Sequence, residues 1–398
     1  MSARILIAGG GTGGHVFPGV AIADALVHAA DVAVTFCGTE RGLEARVIPQ
    51  TIHALETLHV EPMKGGGLSR MLRGGAVAAA ATAASARILA RLRPRLVLAV
   101  GGYAAGPIAL AAQIARIPVA LLEPNATAGF TNQLLAPGAT RIFTAFAQVK
   151  GLPWRSKYAQ LGVPVRAGYM QKPYPFVSAR RGAGSENADG PLHLLVLGGS
   201  QGASHLNATI PDAVAQLKAD PRFASLAVIH QTGRGNEEAV AAKYRELGIE
   251  NVLVRPFFDD PRTLLEGASL IVSRSGAVTV AEIRAVGRPA IFVPFPQAAD
   301  DHQTANADAV AAEGGAVRLA QKDADATRLA LVLGELLGDP ARRARMAAAA
   351  AGGGHPDAAR NVADELLHLA GIPRKRLLER VGPVSDPASE FSSQGTAR

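Results

Sequence analysis

Short apolar runs alternate with glycine-rich turns and helical stretches along most of the chain. Arg4-Ile-Leu-Ile-Ala8 is a continuous apolar run of the kind found in buried parallel strands. Gly9-Gly-Gly-Thr-Gly-Gly-His15 follows it. A helix is predicted from Pro18 to about Ala29, with proline near its first turn and apolar residues at helical spacing. Strand, glycine loop and helix form the first unit of a doubly wound α/β domain. Residues 32–36, 96–100, 119–122 and 141–145 are further strand candidates. Gly101-Gly-Tyr103 and Glu123-Pro-Asn125 stand directly after two of them.

The pattern then restarts. Residues 178–190 are polar and glycine-rich and read as a linker. Residues 193–197 form a strand, Gly198-Gly-Ser-Gln-Gly202 a second glycine loop, and 203–217 a helix. Strands are predicted at 227–231, 252–256, 270–273 and 290–294, with helices between them. The expectation is α/β, with two Rossmann-like doubly wound domains, 1–165 and 166–352, facing across a cleft. Gly352-Gly-Gly354 breaks the second, and a helix over 356–370 returns to the first. The Pro/Ser/Gly-rich stretch after Pro373 reads as a disordered tail.

Composition narrows the class. With 48% hydrophobic and 19% charged residues, the chain has material for a sizeable core. The single cysteine, Cys37, excludes an intramolecular disulfide and favours a reducing compartment. No signal-peptide pattern and no membrane-length apolar run is visible, so the expected place is the cytoplasm or a membrane surface. The net charge is +8. Residues 1–165 carry 15 basic against 7 acidic side chains, so the whole excess lies there. No acidic residue occurs between Glu61 and Glu123, where Lys64, Arg70, Arg73, Arg87, Arg91, Arg93, Arg95 and Arg116 fall. Such a stretch attracts anionic lipid, nucleic acid or a diphosphate, or is simply a solvated basic face.

Candidate chemistry clusters just past strand ends: His15, Glu123, Asn125, Arg166, Ser200, Gln201, Arg274, Ser275, Glu282, Asp300, Asp301, His302 and Gln303. The densest stretch is Ile271-Val-Ser-Arg-Ser-Gly-Ala-Val-Thr-Val-Ala-Glu282: a strand end, a turn of small residues and a helix start. Free N–H groups and the positive end of the helix dipole point into such a turn, which suits an anion. Glu282, within the first two turns, is in reach of a sugar hydroxyl. An ordinary βα turn with a surface glutamate has the same pattern. Asp300-Asp-His-Gln303 also suits a helix N-terminus with an aspartate cap. No metal-ligand spacing, Walker lysine or Gly-x-Ser-x-Gly elbow appears. A nicotinamide oxidoreductase needs one dinucleotide fold beside a catalytic domain, and the second glycine loop counts against it.

Five motifs occur together: Gly9-Gly-Gly-Thr-Gly-Gly-His15, Gly101-Gly-Tyr-x-x-Gly-Pro107, Gly198-Gly-Ser-Gln-Gly-Ala203, Arg274-Ser-Gly-Ala-x-Thr-x-x-Glu282 and Asp301-His-Gln303 with Asn306-Ala307. Their order over residues 4–370 resembles the MurG family of peptidoglycan UDP-N-acetylglucosamine (UDP-GlcNAc) transferases, glycosyltransferase family 28. The resemblance implies the GT-B fold. It implies inverting transfer of GlcNAc from UDP-GlcNAc to the muramoyl 4-hydroxyl of undecaprenyl-diphospho-MurNAc-pentapeptide (lipid I), giving lipid II. It assigns Glu282 to ribose and the main chain at Phe258 to uracil. Thr12, Gly13, Gly14, Arg166, Ser200, Gln201, Ala277, Val278 and Thr279 would lie around the nucleotide sugar, with Gln303 and Asn125 on GlcNAc. Gly13, Gly14, His15 and Tyr103 would meet the acceptor diphosphate, with His15 and Glu123 as candidate catalytic groups.

The same resemblance implies a membrane-docking patch of Met63, Lys64, Leu68, Arg70, Met71, Leu72 and Arg73 on the cytoplasmic face of an anionic membrane. It implies a place in a cell-wall synthesis complex and needs no nucleic acid, cofactor or metal. Leu122, Pro124 and Val163 depart from the family's usual His-Glu-Gln-Asn and Gly-Asn-Pro. The alternatives are another GT-B transferase with a lipid or small acceptor, and a noncatalytic nucleotide-sugar-binding protein at a membrane surface.

Overall fold

A computed structural model describes residues 2–58, 68–102, 104–165, 191–198, 202–258 and 261–375. Two parallel sheets form its frame. The first contains β1 (Ala3–Gly9), β2 (Val32–Thr39), β3 (Ala54–Leu58), β4 (Leu96–Gly101), β5 (Val119–Glu123), β6 (Arg141–Thr144) and β7 (Tyr158–Gln160). Their order is β3-β2-β1-β4-β5-β6-β7. The second contains β8 (His193–Leu197), β9 (Ala227–Gln231), β10 (Val252–Arg255), β11 (Leu270–Ser273), β12 (Ala290–Phe292) and β13 (Ala316–Arg318), in the order β10-β9-β8-β11-β12-β13. The order reverses beside the first strand of each sheet, between β1 and β4 and between β8 and β11. A crevice opens at the carboxyl ends of the strands at such a switch point. This duplication is what an oxidoreductase with a single dinucleotide fold would lack.

The helices are α1 (Gly13–Ala29), α2 (Glu44–Val47), α3 (Leu68–Leu92), α4 (Ala105–Ile114), α5 (Phe130–Leu135), α6 (Ser204–Lys218), α7 (Glu237–Glu246), α8 (Pro261–Gly267), α9 (Ala277–Ala285), α10 (His302–Ala312), α11 (Ala326–Leu337), α12 (Pro340–Gly352) and α13 (Ala358–Leu369). Alternate residues of β1 feed the two faces of the first sheet. Ile5 and Ile7 pack towards α1, and Leu6 and Ala8 towards α4. On the α1 side the core is completed from the far end of the chain by Val362, Ala363, Leu366 and Leu367 of α13. Each such leucine, fully enclosed, contributes roughly 1.5–3 kcal/mol of transfer free energy. Glu365 pairs with Arg141 at 2.5 Å, and the Lys375 amide donates to Ala29 O at 2.7 Å. Residues 376–398 of the stretch read as a tail and the whole linker stretch 178–190 lie outside the described residues.

The first helix departs from expectation. It begins at Gly13, and Pro18 lies inside it. Thr12 is extended, and its carbonyl accepts the amides of His15 and Val16, which turns the glycines into the first helical turn. Pro18 falls in the second turn, where its missing N–H forfeits one bond to a first-turn carbonyl.

Candidate active site

The first glycine loop leaves β1 and passes into α1, so Gly13 and Gly14 present first-turn amides with no partner four residues back. Glu44 organises the loop from beneath. Its Oε2 accepts the Gly11 amide, and its Oε1 accepts the Thr39 amide and hydroxyl at 2.7 and 2.8 Å. A Cβ on Gly10 would stand 2.1 Å from Glu44 Cδ, so the loop closes over this carboxylate only because it is glycine there. Burial raises the Glu44 pKa, but these hydrogen bonds outweigh it and leave the group below its ordinary range. Sequence reading missed Glu44. Its one signal was the glycine-rich strand end, Cys37-Gly-Thr39, that precedes it.

His15 sits in the first turn of α1, half-buried. Its Nδ1 lies 3.2 Å from Gly10 O and 3.3 Å from Thr12 Oγ1. An Nδ1–H donated to Gly10 O leaves the Nε2 lone pair available. That edge of the ring lies against Gly101, where a Cβ would stand 2.8 Å from Nε2. Desolvation holds the ring pKa below its usual value; His302 lowers it further, while Gly10 and Glu44 pull the other way. The imidazole is therefore neutral at neutral pH.

Glu123 ends β5 and is 1% exposed. Its Oε1 accepts the Asn125 amide at 3.0 Å and Asn125 Nδ2 at 3.3 Å. Its Oε2 accepts the Gly129 amide at 3.0 Å and Asn132 Nδ2 at 2.9 Å. Burial raises its pKa against the pull of these bonds. Both carboxylate oxygens are thus engaged within the loop that follows β5. These four bonds shape the loop of residues 123–132. Leu122 points into the core with Ala120 and Phe143, so packing absorbs its departure from the family pattern.

Across the cleft, β11 ends in Ser273, and Gly276 caps α9 with extended geometry and no side-chain bond to the helix. The amides of Ala277, Val278 and Thr279 thus form the open first turn of α9, and Glu282 lies in its second turn. Ser275 is buried, and its hydroxyl donates to Gln303 O at 2.7 Å. Gln303 Oε1 accepts the Phe295 amide at 3.0 Å. Arg274 turns away to donate to Val293 O, Pro294 O and Gln321 Oε1, which makes it a brace between strand ends.

Asp300 and Asp301 both adopt left-handed backbone, with φ of 52° and 51°. Such paired strain is held only where surrounding contacts determine it. Asp301 occupies the cap position of α10, but its carboxylate accepts the Thr304 hydroxyl and not a helix amide. The cap expected from sequence is therefore positional only.

Three further arrangements lie in and beside the second domain. Phe258 is buried beside Leu195 and Leu197 of β8. Under the start of α6, His230 Nδ1 is 3.0 Å from the Tyr244 hydroxyl and Nε2 is 3.2 Å from Asn207 Oδ1. Asn207 Nδ2 donates to Thr232 O at 2.9 Å. At the hinge, Arg284 of α9 is buried between Phe146 and Gly353 and donates to Glu313 at 2.6 Å. Val163 lines the same crevice with Gly162 and His355.

Tyr103, Arg166, Ser200 and Gln201 lie outside the described residues, as do Met63 and Lys64. Leu68, Arg70, Met71, Leu72 and Arg73 fall within α3, in a stretch whose side chains are outside the described set. An apolar surface not anticipated from sequence lies on the adjacent helices α4 and α5: Leu110, Ile114, Phe130 and Leu134, with Ile114 70% and Phe130 68% exposed. Arg116 follows it. The nearly uniform apolarity of α4 hid which of its positions face outward.

Comparison with known proteins follows this geometry. Residues 5–144 match the glycosyltransferase family 28 N-terminal domain, and residues 193–362 match the family 28 C-terminal domain. A protein of Sorangium cellulosum (strain So ce56) is 46% identical over 378 residues, 94% of this chain and 90% of that protein. One of Alkalilimnicola ehrlichii is 46% identical over 370 residues, 93% of this chain and all of that protein. Both are named UDP-N-acetylglucosamine–N-acetylmuramyl-(pentapeptide) pyrophosphoryl-undecaprenol N-acetylglucosamine transferase. The crystal structure of Acinetobacter baumannii MurG superposes with a TM-score of 0.74 at 31% identity, covering 92% of this chain and 99% of that one. A Neisseria meningitidis UDP-GlcNAc 2-epimerase shares the fold alone, with a TM-score of 0.63 at 15% identity over 92% of this chain and all of the other. The two domain models and the relatives agree with the paired sheets and facing helix ends: the chain belongs to glycosyltransferase family 28, among the MurG transferases.

Proposed function

We propose that this chain transfers N-acetylglucosamine from UDP-GlcNAc to the muramoyl 4-hydroxyl of lipid I, yielding lipid II and UDP. The observation that carries this reading is a pair of open helix N-termini, α1 from the first sheet and α9 from the second, packed across one cleft. Joining a nucleotide diphosphate sugar to a lipid diphosphate sugar requires two anion sites that face each other, and two such helix ends supply them. The α9 turn takes the donor diphosphate, and Glu282 takes the ribose. Gln303 and Asn125 meet the sugar. The amides of Gly13 and Gly14 take the acceptor diphosphate.

In the reaction the acceptor O4 attacks C1 of GlcNAc from the face opposite the diphosphate. The C1–O4 bond forms, the C1–O bond to UDP breaks, and His15 Nε2 takes the hydroxyl proton. The lowered pKa of His15 and the approach of its Nδ1 to Gly10 O, which suits an Nδ1–H and a free Nε2, support that assignment. The amides of Ala277–Thr279 stabilise the leaving diphosphate.

Work at the cytoplasmic face of a membrane is supported by exposed Leu110, Ile114, Phe130 and Leu134 within the basic first domain. No helix among the described residues is long and apolar enough to cross a membrane. The test is UDP release from UDP-GlcNAc with and without a lipid I analogue. Acceptor-dependent release is expected. Binding of UDP-GlcNAc without such release would instead favour the noncatalytic reading.

A further inference from the structure

Asn306, on α10, is 0% exposed, and both polar atoms of its amide are engaged. Its Oδ1 accepts the Ala126 amide at 2.8 Å. Its Nδ2 donates to Asn125 Oδ1 at 3.0 Å and to Ser275 O at 3.1 Å. Ala126 and Asn125 belong to the loop after β5 in the first domain. Ser275 belongs to the turn before α9 in the second. One enclosed amide thus ties the sugar-side loop of one domain to the anion-side turn of the other.

The bonds form a chain with one direction. Asn306 Nδ2 donates to Asn125 Oδ1, and Asn125 Nδ2 donates to Glu123 Oε1. An amide has one donor end and one acceptor end, so each link fixes the orientation of the next. Asn125 is half-buried and is the only one of the three with appreciable exposed surface. Its orientation decides whether a sugar hydroxyl there meets an N–H or a carbonyl oxygen.

We propose that Asn306 is a positioning residue for the donor sugar. It orients the Asn125 amide and holds it in register with the α9 turn, so that sugar and diphosphate are gripped together only when the two domains are tied. This inference rests on the proposed use of a nucleotide-sugar donor. It predicts that Asn306 affects binding of the sugar and not of the nucleotide, which touches the second domain.

The test uses the full chain and calorimetric titration with UDP-GlcNAc and with UDP. Asn306→Ala is expected to weaken UDP-GlcNAc binding about tenfold, the scale of one or two lost buried hydrogen bonds, while UDP affinity moves less than about twofold. Asn125→Ala is expected to do the same, and the double variant to be no weaker than Asn125→Ala alone, because Asn306 acts through Asn125. Equal weakening of both ligands, or additive losses in the double variant, would overturn the proposal.

Hydrogen exchange supplies a readout without ligand. Residues 124–129 should exchange faster in Asn306→Ala while residues 96–101 of β4 stay protected as in the parent chain. Unchanged exchange at 124–129 would overturn the tie itself. If the parent chain binds neither ligand, the donor reading fails, and exchange alone then decides whether Asn306 ties the domains.

Discussion

Glu44 Oε2 accepts the Gly11 amide at 2.6 Å, so a carboxylate from α2 sets the path of the first glycine loop. Glu44→Gln leaves one oxygen to serve the Gly11 and Thr39 amides, and it sets an NH2 group against one of them. A loss of about 1–3 kcal/mol in urea unfolding is expected, the cost of a buried donor without a partner. The folded pKa is depressed, so the stabilisation is fully present above the unfolded glutamate value of about 4.3 and is lost as pH falls through the lower folded value. The stability gap between parent and variant should therefore hold constant from neutral pH to about that value and close below it.

The His15 ring titrates below the usual histidine range, chiefly through burial. A base must be neutral to act, so kcat/KM should stay flat through neutral pH and fall only below about pH 6.5. His15→Asn should lower kcat by about 100-fold or more and leave UDP affinity intact. Near-parental turnover in that variant would remove His15 from proton transfer.

His230 is held neutral by burial, its pKa pushed down to about 3. Its unfolded value is near 6.5, so between these two pH values the unfolded chain binds the extra proton. Stability from this site is present above about pH 6.5 and is lost as pH falls towards 3, with a slope approaching 1.4 kcal/mol per pH unit. His230→Gln should be less stable at pH 7.5, through its altered bonds to Tyr244 and Asn207. It should also show a shallower decline between pH 6.5 and 5 in denaturant titrations. An unchanged slope would locate the acid sensitivity elsewhere.

Gly353 leaves room for the Arg284 guanidinium: an added Cβ would stand 1.1 Å from Nη2. Gly353→Ala should displace Arg284 from Phe146 and Glu313 and cost about 1–3 kcal/mol by overpacking. Calorimetric melting checks this, and Gly352→Ala is the control, since its Cβ would meet nothing within 4 Å.

Each of the ten strands expected from continuous apolar runs has a counterpart in the two sheets. Three strands carried no such signal. β3 reads Ala-Leu-Glu-Thr-Leu and is half exposed; it exists because Thr35–Thr39 offers it a ladder. β7 and β13 have three residues each and are defined by their neighbours β6 and β12. The site divided in the same way. The α9 turn and His15 were legible because local sequence builds them. Glu44 and the Asn306 tie were not, because their partners lie 33 and about 180 residues away. Glu123 was legible as a residue at a strand end, but its enclosing donors from Asn125, Gly129 and Asn132 were not, because the turn of the loop after β5 sets them.

The return of α13 to α1 bears on how the chain is made. On the ribosome, the first sheet and its helices emerge long before Val362, Ala363, Leu366 and Leu367. Until those residues arrive, the apolar face of α1 that they cover has no cover of its own chain. The first domain therefore completes its core after the second has been synthesised, and the nascent chain must carry an open apolar stripe for most of its elongation. Among the described helices, the last to appear is the one that closes the first domain to be made.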